Sequence, residues 1–299
     1  MDMVAAFCQI DDFCRQFEPL WQQHQLEILP RPIVGRRRPP AGLALSEILT
    51  LLVWFHLSGY RTFKHFYLCH ACQPLRTEFP GLPGYTRMVG LIPSALAPLC
   101  AFLNTRLAAT RGIAFIDSWP LKVCHNRRIH SHKVFAGVAQ RGRSSVDWFF
   151  GFKLHFIIND TGELVAVRLT PGQVDDRTPV PDWAAGLWGK LFGDRGYVSQ
   201  KLFDELWADG VQLVTRLKRR MKNRLVPLLA DLLLRKRGLI ACVGDQLKNL
   251  CQIEHTRHRS PANAFGNMIA ALAAYCLRPG KPSLGLTEQD CQSLVSATI

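Results

Sequence analysis

The chain has 299 residues, of which 48% are hydrophobic, so it is long and apolar enough to bury the core of one or two domains. Lys and Arg total 37 against 23 for Asp and Glu, which gives a net charge of +14 and an isoelectric point near 9.6. This excess argues against an acidic-surface enzyme of small metabolites, and it predicts a polyanionic partner, with nucleic acid as the first candidate.

A membrane surface is the alternative polyanion. No uncharged apolar run in the sequence approaches the roughly 20 residues that a spanning helix needs. The N-terminus lacks the basic region of a signal peptide, and the ten cysteines are scattered in the way that reduced thiols are. We therefore expect a cytoplasmic protein at the nucleoid, with no membrane partner.

Residues 1–110 are predicted to be helical, because apolar residues recur at helical spacing between stretches that contain proline and glycine. Within this region, residues 59–66 alternate cations with aromatic rings. Two interpretations stay open: a surface that contacts phosphates, or an ordinary amphipathic helix with a solvated basic face. We interpret residues 1–110 as an all-helical, DNA-binding region.

From residue 111 onward, apolar runs typical of strands alternate with helical patterns. Strands are predicted at 112–124, 148–159, 164–170 and 211–217, together with a short strand that ends at 194. Helices are predicted at 180–188, 199–209 and 225–249. This order is typical of an α/β domain with a mixed sheet flanked by helices. We assign residues 111–277 to that domain and 278–299 to a loosely held C-terminal tail.

Two carboxylates follow predicted buried strands. Asp117 interrupts the apolar run of the first strand, and Asp194 ends the fourth. If these two strands are neighbours, both carboxylates meet at one edge of the sheet, where a divalent cation would relieve their repulsion. The alternative for Asp117 is a turn cap, helped by Ser118 and Pro120.

Several blocks of sequence resemble bacterial insertion-sequence transposases, closest to the group named after insertion sequence 982. The blocks are FIDS at 115–118, FFGFKLH at 149–155, LTPGQVDDR at 169–177, FGDRGY at 192–197, DQLKN at 245–249 and QIEHTRHRSP at 252–261. This group lies within the DDE superfamily, so the resemblance implies a ribonuclease H-like catalytic domain that cuts and joins DNA.

The resemblance implies that Asp117 and Asp194 are catalytic and hold two Mg²⁺ or Mn²⁺ ions. The family's Arg-x3-Glu-x6-Lys pattern falls on Arg237, position 241 and Lys248, but position 241 is alanine. The third metal-binding carboxylate is therefore absent. Asp245, one helical turn further on, is a candidate substitute with a shorter side chain. An engineered inactive variant and a decayed copy both explain Ala241.

Six cations are candidate DNA-binding residues, with a solvated basic face as the alternative for each: Lys153, Arg195, Arg237, Lys248, Arg257 and Arg259. The implied partner is double-stranded DNA, both terminal inverted repeats and target, bound by a homodimer. We expect a transposase with impaired chemistry. The rivals are a catalytically silent DNA-binding protein that competes at element ends, and a metal-dependent nuclease unconnected to mobile elements.

Overall fold

The structure is a computed structural model that describes residues 2–28, 42–144, 147–184, 186–216, 228–254 and 258–296. The chain divides into two compact units. The first unit comprises residues 1–106 together with 247–279, and the second comprises residues 107–246 together with 280–299. Each unit is therefore built from two separate segments of the chain.

The first unit is helical. Its helices are α1 (Met3–Ile28), α2 (Leu45–Leu57), α3 (Phe63–Phe66), α4 (Tyr85–Leu91), α5 (Leu96–Arg106) and α10 (Pro261–Leu277). The alanine-rich α10 packs against α2 and α5, and it is buried along much of its length. Small residues permit this close packing: a Cβ added at Gly266 would lie 2.7 Å from Cγ2 of Ile92. Helix α10 therefore forms the centre of this unit.

One helical stretch, Tyr85–Arg106, is long and apolar enough to cross a membrane by length and composition alone. It consists of α4, a short 3-10 turn that contains Pro93, and α5. Buried side chains such as Leu99 and Phe102 belong to the core in which α5 packs against α10. Only 39% of the apolar window is buried, and a single stretch of this kind is weak evidence for a membrane span, although it corrects the expectation that no apolar run approaches this length.

The second unit is built on one mixed sheet. Its strands are β1 (Ile113–Cys124), β2 (Gln140–Arg143), β3 (Trp148–Asn159), β4 (Leu164–Pro171), β5 (Gly189–Gly193) and β6 (Val211–Thr215). The strand order is β2-β3-β1-β5-β6, and β4 also pairs with β3. β1, β3 and β4 form an antiparallel meander, whereas β5 and β6 run parallel to β1. This arrangement confirms the expected ribonuclease H-like mixed sheet.

Helices cover the sheet. α6 (Val180–Trp183) and α7 (Gln200–Ala208) contribute to a core cluster that includes Ile116 and Leu191. α8 (Leu228–Arg235) contacts β5 and β6, and α9 (Gly238–Asp245) contacts β1. Because side chains alternate between the faces of a strand, Asp117 points to the opposite face from Ile116. Thus the predicted α/β class with a helical N-terminal region is confirmed.

Local differences from the predicted elements have physical causes. The short strand β2 was not predicted, because its four residues are mostly polar and its pairing with β3 supplies the order. Helix α6 ends at Trp183, several residues before the predicted end. Within its described part, the helix predicted at 225–249 divides into α8 and α9 just before Gly238.

The C-terminal segment is attached to the second unit, so the expectation of a loosely held tail is wrong for its described part. Helix α11 (Glu288–Ser296) buries Cys291, and the backbone N–H of Leu284 donates a 2.9 Å hydrogen bond to the carbonyl of Asp160. Residues 247–279 lie with the first unit and not with the sheet. The assignment of functions to residues 1–110 and 111–277 stays a prediction.

Candidate metal and phosphate site

Asp117 lies on β1, and Asp194 directly follows the neighbouring parallel strand β5. In the pairing of β1 with β5, Phe115 is opposite Phe192. Two residues onward, Asp117 still lies within β1 and Asp194 is the first residue after β5, so the two residues are at the same level along the parallel strands. Adjacent strands are separated by about 4.8 Å, which places the two residues side by side. The structure therefore brings the two predicted carboxylates close together, but the expected strand-end position is wrong for Asp117, which lies inside β1 opposite Phe156 of β3.

Asp117 is held by one cation and one amide. Nη2 of Arg237 donates to Oδ2 of Asp117 at 3.2 Å, and the backbone N–H of Ser118 donates to Oδ1 at 2.9 Å. Burial raises the pKa of Asp117, and the negative charge of Asp194 acts in the same direction, whereas Arg237 and the Ser118 amide oppose the rise. Opposing charges therefore compete at this carboxylate.

Asp194 is the N-cap of a single 3-10 turn, Arg195–Tyr197. Its Oδ1 accepts a 2.7 Å hydrogen bond from the backbone N–H of Gly196. Tyr197 is buried, and burial together with the nearby carboxylates, Asp117 foremost, raises its pKa well above the usual value. A short turn directly after the buried strand β5 thus holds Asp194 at the carboxyl end of that strand.

Helix α9 carries the position of the missing carboxylate. It approaches β1 closely at Gly244, where an added Cβ would lie 2.5 Å from Cζ3 of Trp119. Ala241 is exposed and lies one helical turn after Arg237, on the same face. Asp245 is also exposed, at the end of the helix. Within the described ranges, no group of three or more His, Cys, Asp or Glu side chains is placed to hold a metal ion.

Three arginines surround a cavity beside Asp194. The cavity has a volume of about 250 Å³ and is lined by Gly193, Asp194, Arg195, Arg216, Leu234 and Arg237. Arg195 and Arg237 were predicted as cations at this site, whereas Arg216 was missed by the sequence analysis. Arg216 directly follows β6, the parallel neighbour of β5, so its position after a strand end was an available signal. The cavity suits an anion such as phosphate.

Lys153 and His155 lie on β3, and their side chains bind other residues of the second unit. Nζ of Lys153 donates to Oδ1 of Asp176 at 3.0 Å and to the carbonyl of Val174 at 2.8 Å, and its side chain is 11% exposed. His155 is fully buried beside Thr170, and burial lowers its pKa to about 4. The neutral ring therefore supplies no positive charge to the site near pH 7.

Two of the remaining predicted cations, Lys248 and Arg259, lie in the first unit. Lys248 forms a 3.2 Å ion pair with Glu254, and Arg259 is exposed just before α10. Arg257 lies outside the described residues. The contributions of these three residues to DNA binding stay predictions.

Comparison with known proteins identifies the family. The family model described as "Transposase DDE domain" matches residues 107–261, which is just over half of the chain. No curated protein and no solved structure matches the chain. The matched range includes the whole mixed sheet, both carboxylates and helices α8 and α9. The chain therefore belongs to the DDE transposase family.

Proposed function

We propose that this chain is the transposase of a bacterial insertion sequence of the group named after insertion sequence 982. As a homodimer at the nucleoid, it binds double-stranded DNA at the terminal inverted repeats and at the target. The family reaction is metal-dependent strand cleavage followed by strand transfer. In this copy that chemistry is impaired, because the third carboxylate position is Ala241.

The proposal depends on one observation: two of the three expected carboxylates are present, and the third position is occupied by alanine. Asp117 within β1 and Asp194 directly after the parallel strand β5 are neighbours, and Arg237 bonds to Asp117. One turn along the same helix, position 241 presents a methyl group to solvent. A net charge of +14 adds the electrostatic attraction that a DNA substrate requires.

Two carboxylates fit one divalent ion better than two. Mg²⁺ binds through one or two carboxylates, with water or substrate phosphate as its other ligands, and this matches Asp117 and Asp194. A bound ion would polarise a phosphate oxygen and lower the pKa of an attacking water. For a second ion, position 241 supplies no oxygen ligand, and Asp245, one turn further along α9, stays the candidate substitute. Arg237 must also leave Oδ2 of Asp117 when an ion binds there.

The test compares the chain as it stands with Ala241→Glu in an end-cleavage and strand-transfer assay with Mg²⁺ or Mn²⁺. We expect the glutamate variant to cleave and join DNA about 10²- to 10³-fold faster, the size of the loss that removal of one catalytic electrostatic group causes. Ala241→Gln is the matched control: it has nearly the same volume without the charge, so it should stay as slow as the unchanged chain. Equal activity of the unchanged chain and the glutamate variant would refute the role of position 241.

A catalytically silent DNA-binding protein, which competes with active copies at element ends, is the second candidate. The pairing of Arg237 with Asp117 favours it, since the cation already neutralises a carboxylate that a metal needs. Both candidates bind DNA and only one cuts it. Binding of inverted-repeat duplex without detectable cleavage by the unchanged chain identifies the silent protein. Cleavage without joining would instead indicate an unrelated nuclease.

A further inference from the structure

The hairpin of β2 and β3 carries an exposed tryptophan beside two arginines, here called the basic hairpin (Arg141, Arg143 and Trp148). In the antiparallel pairing, Arg143 is opposite Trp148 and Arg141 is opposite Phe150. The Cζ atoms of Arg141 and Arg143 lie 5.2 and 5.8 Å from the centroid of the Trp148 ring. Both guanidinium groups are therefore held in cation–π contact with one ring.

The charges of the basic hairpin are open to solvent. Trp148 is 46% exposed, and both arginines are exposed as well. Neither arginine forms an ion pair with a carboxylate in the part of the chain that the structure describes. A guanidinium that stacks on a ring keeps N–H donors at its edge for an anion. The contact with Trp148 thus positions two charges without neutralising them.

Two more arginines adjoin the basic hairpin. Nδ2 of Asn126 donates a 2.7 Å hydrogen bond to the carbonyl of Trp148, which attaches the 3-10 turn begun by Asn126 to the start of β3. Arg127 and Arg128 on that turn are exposed. One carboxylate, Asp147, is also present, and its Oδ1 accepts from the backbone N–H of Trp148 at 2.7 Å. Arginines outnumber the neighbouring acid, so this surface favours a polyanion.

The basic hairpin lies on the same face of the sheet as the candidate metal site. Phe156 of β3 is paired with Asp117, and paired residues of adjacent strands share a face. Trp148 precedes Phe156 by eight positions on β3, an even number, so the alternation of side chains puts both on that face. At about 3.3 Å per residue, the hairpin lies about 26 Å from Asp117 along the strand.

This separation matches a length of duplex DNA. Successive base pairs are about 3.4 Å apart, so about 26 Å corresponds to roughly eight base pairs. A duplex whose reacting phosphate lies at Asp117 and Asp194 would therefore bring its backbone to the basic hairpin about eight base pairs away. One duplex could then contact both places on this face.

We propose that the basic hairpin binds the phosphate backbone of duplex DNA about eight base pairs from the reacting phosphate, with Trp148 as a positioning residue for Arg141 and Arg143. This inference rests on the proposed function, because it assumes that DNA reacts at Asp117 and Asp194. Arginines held in place by a ring lose less conformational freedom on binding a phosphate than freely moving ones.

The first test measures binding of the full chain to a DNA duplex at several salt concentrations. Arg141→Gln and Arg143→Gln should each weaken binding about eightfold at roughly 0.1 M salt and reduce the slope of log K against log salt by about 0.9, the values for one lost phosphate contact. The result that overturns the proposal is a loss no greater than that of a matched control variant.

Arg168→Gln is that control. Arg168 is exposed on β4 and is paired with His155, which immediately precedes Phe156 and so faces the opposite side of the sheet. The substitution removes the same charge from the same unit. Affinity and salt slope should therefore stay close to those of the unchanged chain.

The role of Trp148 is tested by two substitutions. Trp148→Leu should weaken duplex binding severalfold, because the arginines lose the ring that positions them, whereas Trp148→Phe keeps a ring face and should restore most of the affinity. The midpoints of thermal unfolding of the two variants should agree, since the side chain is half-exposed. If Trp148→Phe binds as weakly as Trp148→Leu, the positioning role is wrong.

Ethylation of single phosphates in an inverted-repeat duplex tests the distance. With the unchanged chain, ethylation about eight base pairs from the cleaved end should interfere with binding, and this interference should disappear when Arg141→Gln and Arg143→Gln are combined. Interference confined to the cleaved end would overturn the placement.

Three outcomes separate the proposals. Failure of the unchanged chain to bind any duplex refutes the proposed function and this inference together. Duplex binding that Arg141→Gln and Arg143→Gln weaken no more than Arg168→Gln overturns the inference alone. Losses confined to heparin or single-stranded RNA, with duplex binding intact, would assign the basic hairpin to another polyanion and overturn the assignment to DNA.

Discussion

At the scale of single residues, Asp117 is the point where opposing charges meet. Burial and the neighbouring Asp194 favour its protonated form, whereas the Arg237 guanidinium and the Ser118 amide favour the carboxylate. An ion that binds Asp117 therefore competes with both a proton and an arginine. The metal binding proposed for this residue would therefore depend on its ionisation.

Replacement of Arg237 by glutamine should raise the pKa of Asp117 further. The substitution removes the positive charge and the charged hydrogen bond that now oppose the effect of burial. Carboxyl carbon shifts followed by NMR against pH measure the change. Arg235→Gln is the matched control, because Arg235 pairs with Asp231 on the preceding helix. An Asp117 titration that is the same in both variants would contradict the assigned pairing.

A second residue, His56, makes the stability of the first unit depend on pH. Its ring is buried on α2, and Nδ1 donates a 2.6 Å hydrogen bond to the carbonyl of Cys251. Burial lowers its pKa from 6.5 to about 4. The folded chain therefore holds this ring neutral, while the unfolded chain protonates it below about pH 6.5.

The free energy of unfolding should fall as the pH drops from 6.5 toward 4. The unfolded state binds the proton first, so the stabilisation is complete above pH 6.5 and is lost through this window, by about 3 kcal/mol for His56 at roughly 1.4 kcal/mol per pH unit. Urea titrations at several pH values measure it. In His56→Gln the pH dependence should be weaker by a similar amount, whereas the exposed His130→Gln should leave it unchanged. Parallel pH profiles for His56→Gln and the unchanged chain would contradict this role.

At the scale of elements, the approach of α9 to β1 determines where Arg237 and position 241 lie. Gly244 allows the helix to approach Trp119, which in turn packs edge-on against Phe156 at a centroid distance of 4.7 Å. A larger residue at 244 has to displace the indole or the helix. The glycine was unexplained in the sequence, and the helix–strand contact supplies its reason.

Gly244→Ala should therefore destabilise the second unit by about 1–3 kcal/mol, the usual effect of overpacking. Chemical denaturation monitored by tryptophan fluorescence measures this loss. Gly238→Ala, on the same helix, is the control: no atom lies within 4 Å of its added Cβ, so its stability should be unchanged or higher. Equal stability of the two variants would show that the close approach is relaxed at little cost.

At the scale of the whole molecule, each unit is completed by a segment distant in sequence. In the second unit, Asp160 is fully buried at the β3–β4 turn, pairs with Arg111 at 3.3 Å and contacts the thiol of Cys291 at 3.6 Å. Asp160 thus connects three segments of the unit: Arg111 before β1, its own β3–β4 turn, and Cys291 of α11. Such a carboxylate requires its partner, because an uncompensated buried charge is strongly unfavourable.

Arg111→Gln should lower the free energy of unfolding of the second unit by about 3–5 kcal/mol. Hydrogen exchange should show faster exchange of the α11 amides, because that helix contacts Asp160 through Cys291. Lys201→Gln, which disrupts an exposed pair with Glu205 on α7, should cost less than about 1 kcal/mol. Similar losses in both variants would mean that Asp160 needs no charged partner.

Much of the second unit was predictable from the sequence, because its strands are continuous apolar runs. The bounds of β3 were predicted correctly, and Ser199 was recognised as the start of α7, where its hydroxyl accepts from the amide of Leu202. Asp117 and Asp194 were recognisable as candidates because a carboxylate beside a buried strand is conspicuous. These are all local properties of the chain.

Only the tertiary structure decided which side chains meet. In the folded chain Arg237 bonds to Asp117, 120 positions away in the sequence. Arg216 lines the cavity beside Asp194, and Lys153 forms an ion pair with Asp176. The tertiary structure also assigned the C-terminal segment to the sheet and α10 to the helical unit. The sequence by itself determined the elements and the two carboxylates, since periodicity and burial act over a few neighbouring residues. Charge partners, cavities and the completion of each unit depend on packing between distant segments, which no local pattern specifies.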